Sequence, residues 1–194
     1  MPLASFLYDA CVHPQELLGV WKLRARTVGP AEGRVLEVGV GTGLNLRHYR
    51  KARELVGIDP DPILLRRARK RARRVAFPVR LELGDTQTLA FPDASFDTVV
   101  ATFVFCTVPD APRGLRELRR VVRPGGSIRM LEHVRSLRPW VAKVQDWVEP
   151  AWVRVLAGCH PNRDTVRMVR EAGIEVTGLR RYRAMVSLEG RVAR

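Results

Sequence analysis

Arg34-Val-Leu-Glu-Val-Gly-Val-Gly-Thr-Gly-Leu44 is the stretch on which the fold turns. An apolar run closes on Glu37, and glycines follow at alternate positions, Gly39, Gly41 and Gly43. The run reads as a buried parallel strand, the glycines as a tight turn, and Asn45 to Arg50 as the helix behind it. Glycine is needed where a backbone takes unusual dihedrals and lets a ligand come close. A dinucleotide fingerprint would place its last glycine at position 44, where this chain has Leu.

Working outward, Leu55-Val-Gly-Ile-Asp59-Pro60 is a second apolar run closed by an acid. A carboxylate at that strand tip can accept hydrogen bonds from both hydroxyls of a ribose. Asp61-Pro62 already supplies a helix start, which leaves Asp59 free for such a role. Val79 to Asp85-Thr86 reads as a third strand ending in an acid, and Phe96 to Phe105 as a fourth. A helix from Leu115 stops at Pro124-Gly-Gly126, and a fifth strand follows from Ser127 to Glu132. With closing strands over 174–181 and 184–192, the pattern predicts an α/β fold. The expected architecture is a Rossmann-like, doubly wound, seven-stranded, mostly parallel sheet with helices on both faces.

The spacing Glu37-x-Gly39-x-Gly41-x-Gly43, followed in order by the other blocks over 34–135, resembles the class I S-adenosylmethionine-dependent methyltransferases. The resemblance implies S-adenosylmethionine as cofactor and S-adenosylhomocysteine as product. Glu37, Gly39, Gly41, Gly43, Asp59, Pro60, Asp85, Thr86 and Thr102 would be its binding residues. In that family the acid matching Asp85 meets the adenine amino group, and backbone near Gly39 and Thr102 holds the methionine part. Glu132-His-Val134, Val148-Glu-Pro-Ala-Trp152 and Ala157-Gly-Cys159 look like the thiol S-methyltransferases. They are also similar to bacterial phosphatidylethanolamine N-methyltransferases and to quinone C-methyltransferases. The thiol enzymes carry an N-terminal membrane anchor, whereas this chain begins Met-Pro-Leu-Ala-Ser-Phe.

Composition narrows the setting. A chain of 194 residues with 46% hydrophobic content suits one globular domain. The expected parts are a helical segment (1–30), a cofactor-binding core (34–135), a helical cap (137–172) and closing strands (174–192). No apolar run approaches the roughly 20 residues of a membrane span, and no secretory signal is visible. Cys11, Cys106 and Cys159 are odd in number and widely spaced, which fits a reduced, cytoplasmic setting. His13, His48, His133 and His160 show no ligand spacing, so no metal is expected. Formal net charge is +14, with the densest basic cluster at Arg66 to Arg74. That cluster reads as a solvated helix face, with peripheral contact to an anionic membrane as the sharper alternative. Nucleic acid is not expected, because no aromatic residues are interleaved with the arginines.

Acceptor-side candidates follow from where the strands end. His133, just past the fifth strand, is the candidate base, and Phe103 and Cys159 are candidate lining residues. Cys106 reads as a small buried hydrophobe. Trp140, Trp147 and Trp152, with Tyr8 and Phe6 from the first helix, would cap an apolar pocket. The expected activity is in-line methyl transfer to a thiol, amine, quinol or lipid headgroup, by a monomer or homodimer. A nucleic-acid methyltransferase and a non-catalytic cofactor-binding protein are the alternatives.

Overall fold

The computed structural model describes residues 16–155 and 158–193. Strands β1 (Glu32–Val38), β2 (Lys51–Asp59), β3 (Val79–Leu83), β4 (Phe96–Thr102), β5 (Val122–His133), β6 (Glu175–Tyr182) and β7 (Met185–Arg191) form one sheet. Their order is β3-β2-β1-β4-β5-β7-β6. Every pairing from β3 to β5 is parallel, and β7 runs antiparallel to both neighbours. The expected doubly wound, mostly parallel sheet is therefore present. Strand order reverses between β1 and β4, and a crevice opens at such a point beyond the carboxyl ends.

Helices α1 (Trp21–Val28), α2 (Pro62–Ala72), α3 (Ala111–Val121), α4 (Pro139–Val155) and α5 (Thr165–Glu171) complete the described fold. Strand alternation sorts the core into two layers. Leu36, Val38, Val56, Ile58, Val99 and Ala101 pack with Leu115 and Leu118 of α3 and Val166 and Val169 of α5. Val35, Leu55 and Val100 point the other way, to Val28, Leu46 and Tyr49. Asp61 caps α2 by accepting from the Ile63 and Leu64 amides, with Pro62 in the first turn. The arginines of α2 solvate its outer face, while Leu64, Leu65 and Ala68 are buried.

Two local expectations change, and two further features shape the helices. Asn45 to Arg50 holds a single 3-10 turn, Leu46–His48, because β2 already starts at Lys51. Strand β5 begins at Val122 and takes Pro124-Gly-Gly126 in as an irregularity, where the register with β4 shifts. Helix α4 runs through Pro150 without dividing. Before α1, Gly19 breaks helical geometry with φ of 101°, which turns Leu18 and Trp21 outward and Val20, Arg24 and Val28 inward.

Candidate active site

The glycine turn packs tightly against side chains of the protein itself. Gly39 and Gly43 have φ of 61° and 82°, in the left-handed region that favours glycine. A Cβ at Gly39 would meet Val104 Cγ2 at 2.5 Å, and one at Gly43 would meet Leu46 Cδ1 at 2.8 Å. Asp59 ties this turn to β2: its Oδ2 accepts from the Gly41 amide at 2.8 Å, and its Oδ1 from the Asp61 amide at 2.9 Å. Burial pushes its carboxyl up, against those two amides. Pro60 beside it is exposed. Asp85 is exposed and bonded to Gln87, whose side-chain oxygen in turn accepts from the Asp110 amide, while Thr86 is buried.

From Glu37 a polar chain crosses to the fourth strand. Asn45 Nδ2 donates to Glu37 Oε1 at 2.7 Å and to Thr102 Oγ1 at 2.9 Å, and Tyr49 donates to Glu37 Oε2 at 2.9 Å. Burial lifts Glu37 to about 7, although Asn45, Tyr49 and Arg24 oppose the shift. Arg24 is the residue that sequence reasoning missed. From α1 it donates to Glu16 at 2.7 Å, Thr102 Oγ1 at 2.8 Å and Asn45 Oδ1 at 3.1 Å. Its guanidinium lies 5.0 Å from the Phe103 ring centroid. A signal was present: Val20, Arg24, Thr27 and Val28 share one helical stripe, and a charge inside a buried stripe needs partners.

The chain continues into the acceptor side. Phe103, at φ of 58°, stacks with His133 at 4.7 Å between ring centroids. Glu132 is fully buried and holds the turn after β4, accepting from the amides of Val104, Phe105 and Cys106 at 3.0, 3.1 and 3.2 Å. Burial outweighs those amides and lifts its carboxyl to about 7. His133 Nδ1 faces two thiols of the protein itself, Cys159 Sγ at 3.6 Å and Cys106 Sγ at 3.9 Å. Cys106 is buried as expected, but beside polar partners rather than only apolar ones. A hydrogen bond from Cys106 holds the Cys159 thiol down and pushes that of Cys106 up.

Trp140 and Trp147 do not close a pocket, while Trp152 lies beside Cys159. Trp140 is 66% and Trp147 84% exposed, on the outer face of α4 with Val144 and Val155. The helical period is right and the inward face is the other one. There Ala142 and Gln145 are buried, and Gln145 bonds the Ser136 amide and the Val134 and Pro161 carbonyls. Asp146 pairs with Arg135, and Glu149 with His160 at 2.6 Å. Tyr8 and Phe6 lie outside the described residues. A cavity of about 490 Å³, lined by Trp21, Gly43, Leu44, Arg47, Arg71 and others, opens beside the glycine turn but includes neither Asp59 nor His133.

Comparison with known proteins agrees with this geometry. A family model described as a methyltransferase domain matches residues 36–130. The chain is 43% identical over 157 residues to phosphatidylethanolamine N-methyltransferase of Cereibacter sphaeroides, covering 78% of this chain and 75% of the relative. It is 32% identical over 159 residues to the human thiol S-methyltransferase TMT1A, covering 80% of this chain and 65% of that protein's length. A solved Bacillus halodurans C-125 chain assigned as a methyltransferase superposes with a TM-score of 0.77. That likeness covers 91% of this chain and 99% of the other, at 15% identity. The chain belongs to the S-adenosylmethionine-dependent methyltransferases, and is an enzyme of that class.

Proposed function

We propose that this enzyme transfers a methyl group from S-adenosylmethionine to the amine of a lipid headgroup, working at an anionic membrane surface. The residues fit the cofactor. Gly39 and Gly43 let the turn keep its left-handed shape against Val104 and Leu46, which would present its backbone to a ligand. Asp59 would accept from the ribose hydroxyls, and Asp85 from the adenine amino group. Glu37 and Thr102, with the Arg24 cation beside them, would hold the charged methionine end. When bound, the cofactor supplies a methyl group made electrophilic by its sulfonium.

The observation that carries the acceptor assignment is the outward face of α4. Trp140, Val144, Trp147 and Val155 form an exposed apolar stripe on the helix that follows β5 and His133. Tryptophans with basic neighbours suit the boundary between lipid and water. The helix turns both its acids aside, Asp146 to Arg135 and Glu149 to His160. A net charge of +14 favours an anionic surface. No helix among the described residues is long and apolar enough to cross a membrane, so contact would be peripheral. An amine that had given its proton to water would attack the methyl in line with the sulfur–carbon bond, S-adenosylhomocysteine would leave with the bonding pair, and positioning would supply about 7–11 kcal/mol of the effect. His133 and Phe103 shape the acceptor side in this account. A thiol acceptor is the second reading, supported by the likeness to TMT1A.

The test supplies S-adenosylmethionine with vesicles of phosphatidylethanolamine and phosphatidylglycerol, a soluble thiol, or a quinol, and measures S-adenosylhomocysteine and product mass. Methylated headgroup is expected only in the vesicle arm. Turnover confined to the thiol would replace the amine reading with the thiol one.

A further inference from the structure

Three soft donors meet where the acceptor side closes. Cys106 follows β4, His133 ends β5, and Cys159 lies in the loop after α4. Their ligand atoms all lie within 4.8 Å of one another. We propose that Cys106, His133 and Cys159 bind one zinc ion, through both sulfurs and the imidazole Nδ1. With zinc–sulfur bonds of about 2.3 Å and zinc–nitrogen bonds of about 2.0–2.1 Å, a tetrahedral site has a sulfur–nitrogen edge of roughly 3.6 Å. The observed edges are 3.6 and 3.9 Å. Three places of a tetrahedron are filled, and the fourth is left to water or a ligand.

The loops are held without the ion. Glu132 accepts from the Cys106 amide, and the Cys106 carbonyl accepts from the His160 amide at 2.6 Å. Arg163 donates to the Phe105 and Val108 carbonyls at 2.8 and 2.5 Å. The Trp152 indole helps to hold the Cys159 thiol down, as a donor outside the ligand set would. Charge also balances. Two thiolates cancel the dication. Binding exchanges thiol protons for the metal, so up to two protons leave per zinc. A metal on Nδ1 leaves the proton on Nε2, which makes His133 a ligand rather than a base. Local spacing hid the set, since the three residues come from three distant stretches of the chain. The proposal stands whichever acceptor is methylated.

The test uses the full chain, reduced and stripped with chelator, then titrated with Co²⁺ and Zn²⁺. One equivalent of Co²⁺ should give a thiolate-to-metal charge-transfer band that one equivalent of Zn²⁺ abolishes. Cys106→Ser and Cys159→Ser should lose the band, and Cys11→Ser should keep it. Should a serine variant misfold, alkylation of the parent decides: Zn²⁺ should slow labelling of Cys159 roughly tenfold by holding the thiolate. No band in the parent with labelling unchanged by Zn²⁺, or the same band in both folded variants, overturns the proposal.

Discussion

Glu37 and Glu132 end strands β1 and β5 as near twins. Both are buried, and burial lifts both to about 7. Their partners differ. Glu37 takes its hydrogen bonds from side chains, the Asn45 amide and the Tyr49 hydroxyl, with Arg24 close by. Glu132 takes three from backbone amides of one turn. Side-chain donors can be re-aimed toward a ligand, whereas backbone amides are fixed. In the proposed reading, the half that would hold the cofactor is therefore wired to respond, and the half that would face the acceptor is wired to hold its shape.

Breaking that comparison should give the largest effect at Glu132. Glu132→Gln sets an NH₂ against an amide that cannot accept, so a stability loss of about 2–3 kcal/mol is expected in urea unfolding. Glu37→Gln should cost less than about 1 kcal/mol, because the Tyr49 hydroxyl can turn and accept. Equal losses would erase the distinction.

Proton linkage sharpens it. A carboxyl whose folded value lies above its unfolded value binds more protons when native, so its contribution is full below about 4.5 and is lost as pH rises through about 7. Each glutamate is worth about 3 kcal/mol over that window. Groups held low act the other way: Asp146 at about 2 does so below this window, but His48 at about 4 and the lowered Cys159 thiol add stability as pH rises within it. The stability of the parent relative to Glu37→Gln should therefore fall between pH 5 and 8, read as the difference between their two melting profiles. A difference that stays constant or grows over that range would contradict the assignment.

The smallest effect on the fold belongs to α4. Trp140→Ser with Trp147→Ser should alter stability by about 0.5 kcal/mol or less, as exposed surface changes do. Binding to phosphatidylglycerol vesicles, read by sedimentation, should weaken severalfold. Unchanged sedimentation would remove the membrane reading of that face.

These contrasts also mark what the sequence could reveal. The glycine turn, Asp59 and the helix start at Asp61-Pro62 were legible because each is a local backbone requirement written in residue type. The seven-stranded order followed from their succession. Which face of α4 turns inward was not legible, since Trp140 and Trp147 look like core and Gln145 does not. Its burial depends on the Val134 and Pro161 carbonyls, supplied by distant chain. Arg24 and the Cys106, His133, Cys159 cluster share that cause: long-range partners decide them.

The most direct test of the account is calorimetric titration with S-adenosylhomocysteine and with NAD, in the parent and in Asp59→Ala. The parent should bind S-adenosylhomocysteine in the low micromolar range, about −8 kcal/mol, and NAD much more weakly. Asp59→Ala, still folded, should lose about 2–4 kcal/mol with the two charge-assisted bonds to ribose. NAD binding more tightly than S-adenosylhomocysteine, or Asp59→Ala binding like the parent, would contradict the account.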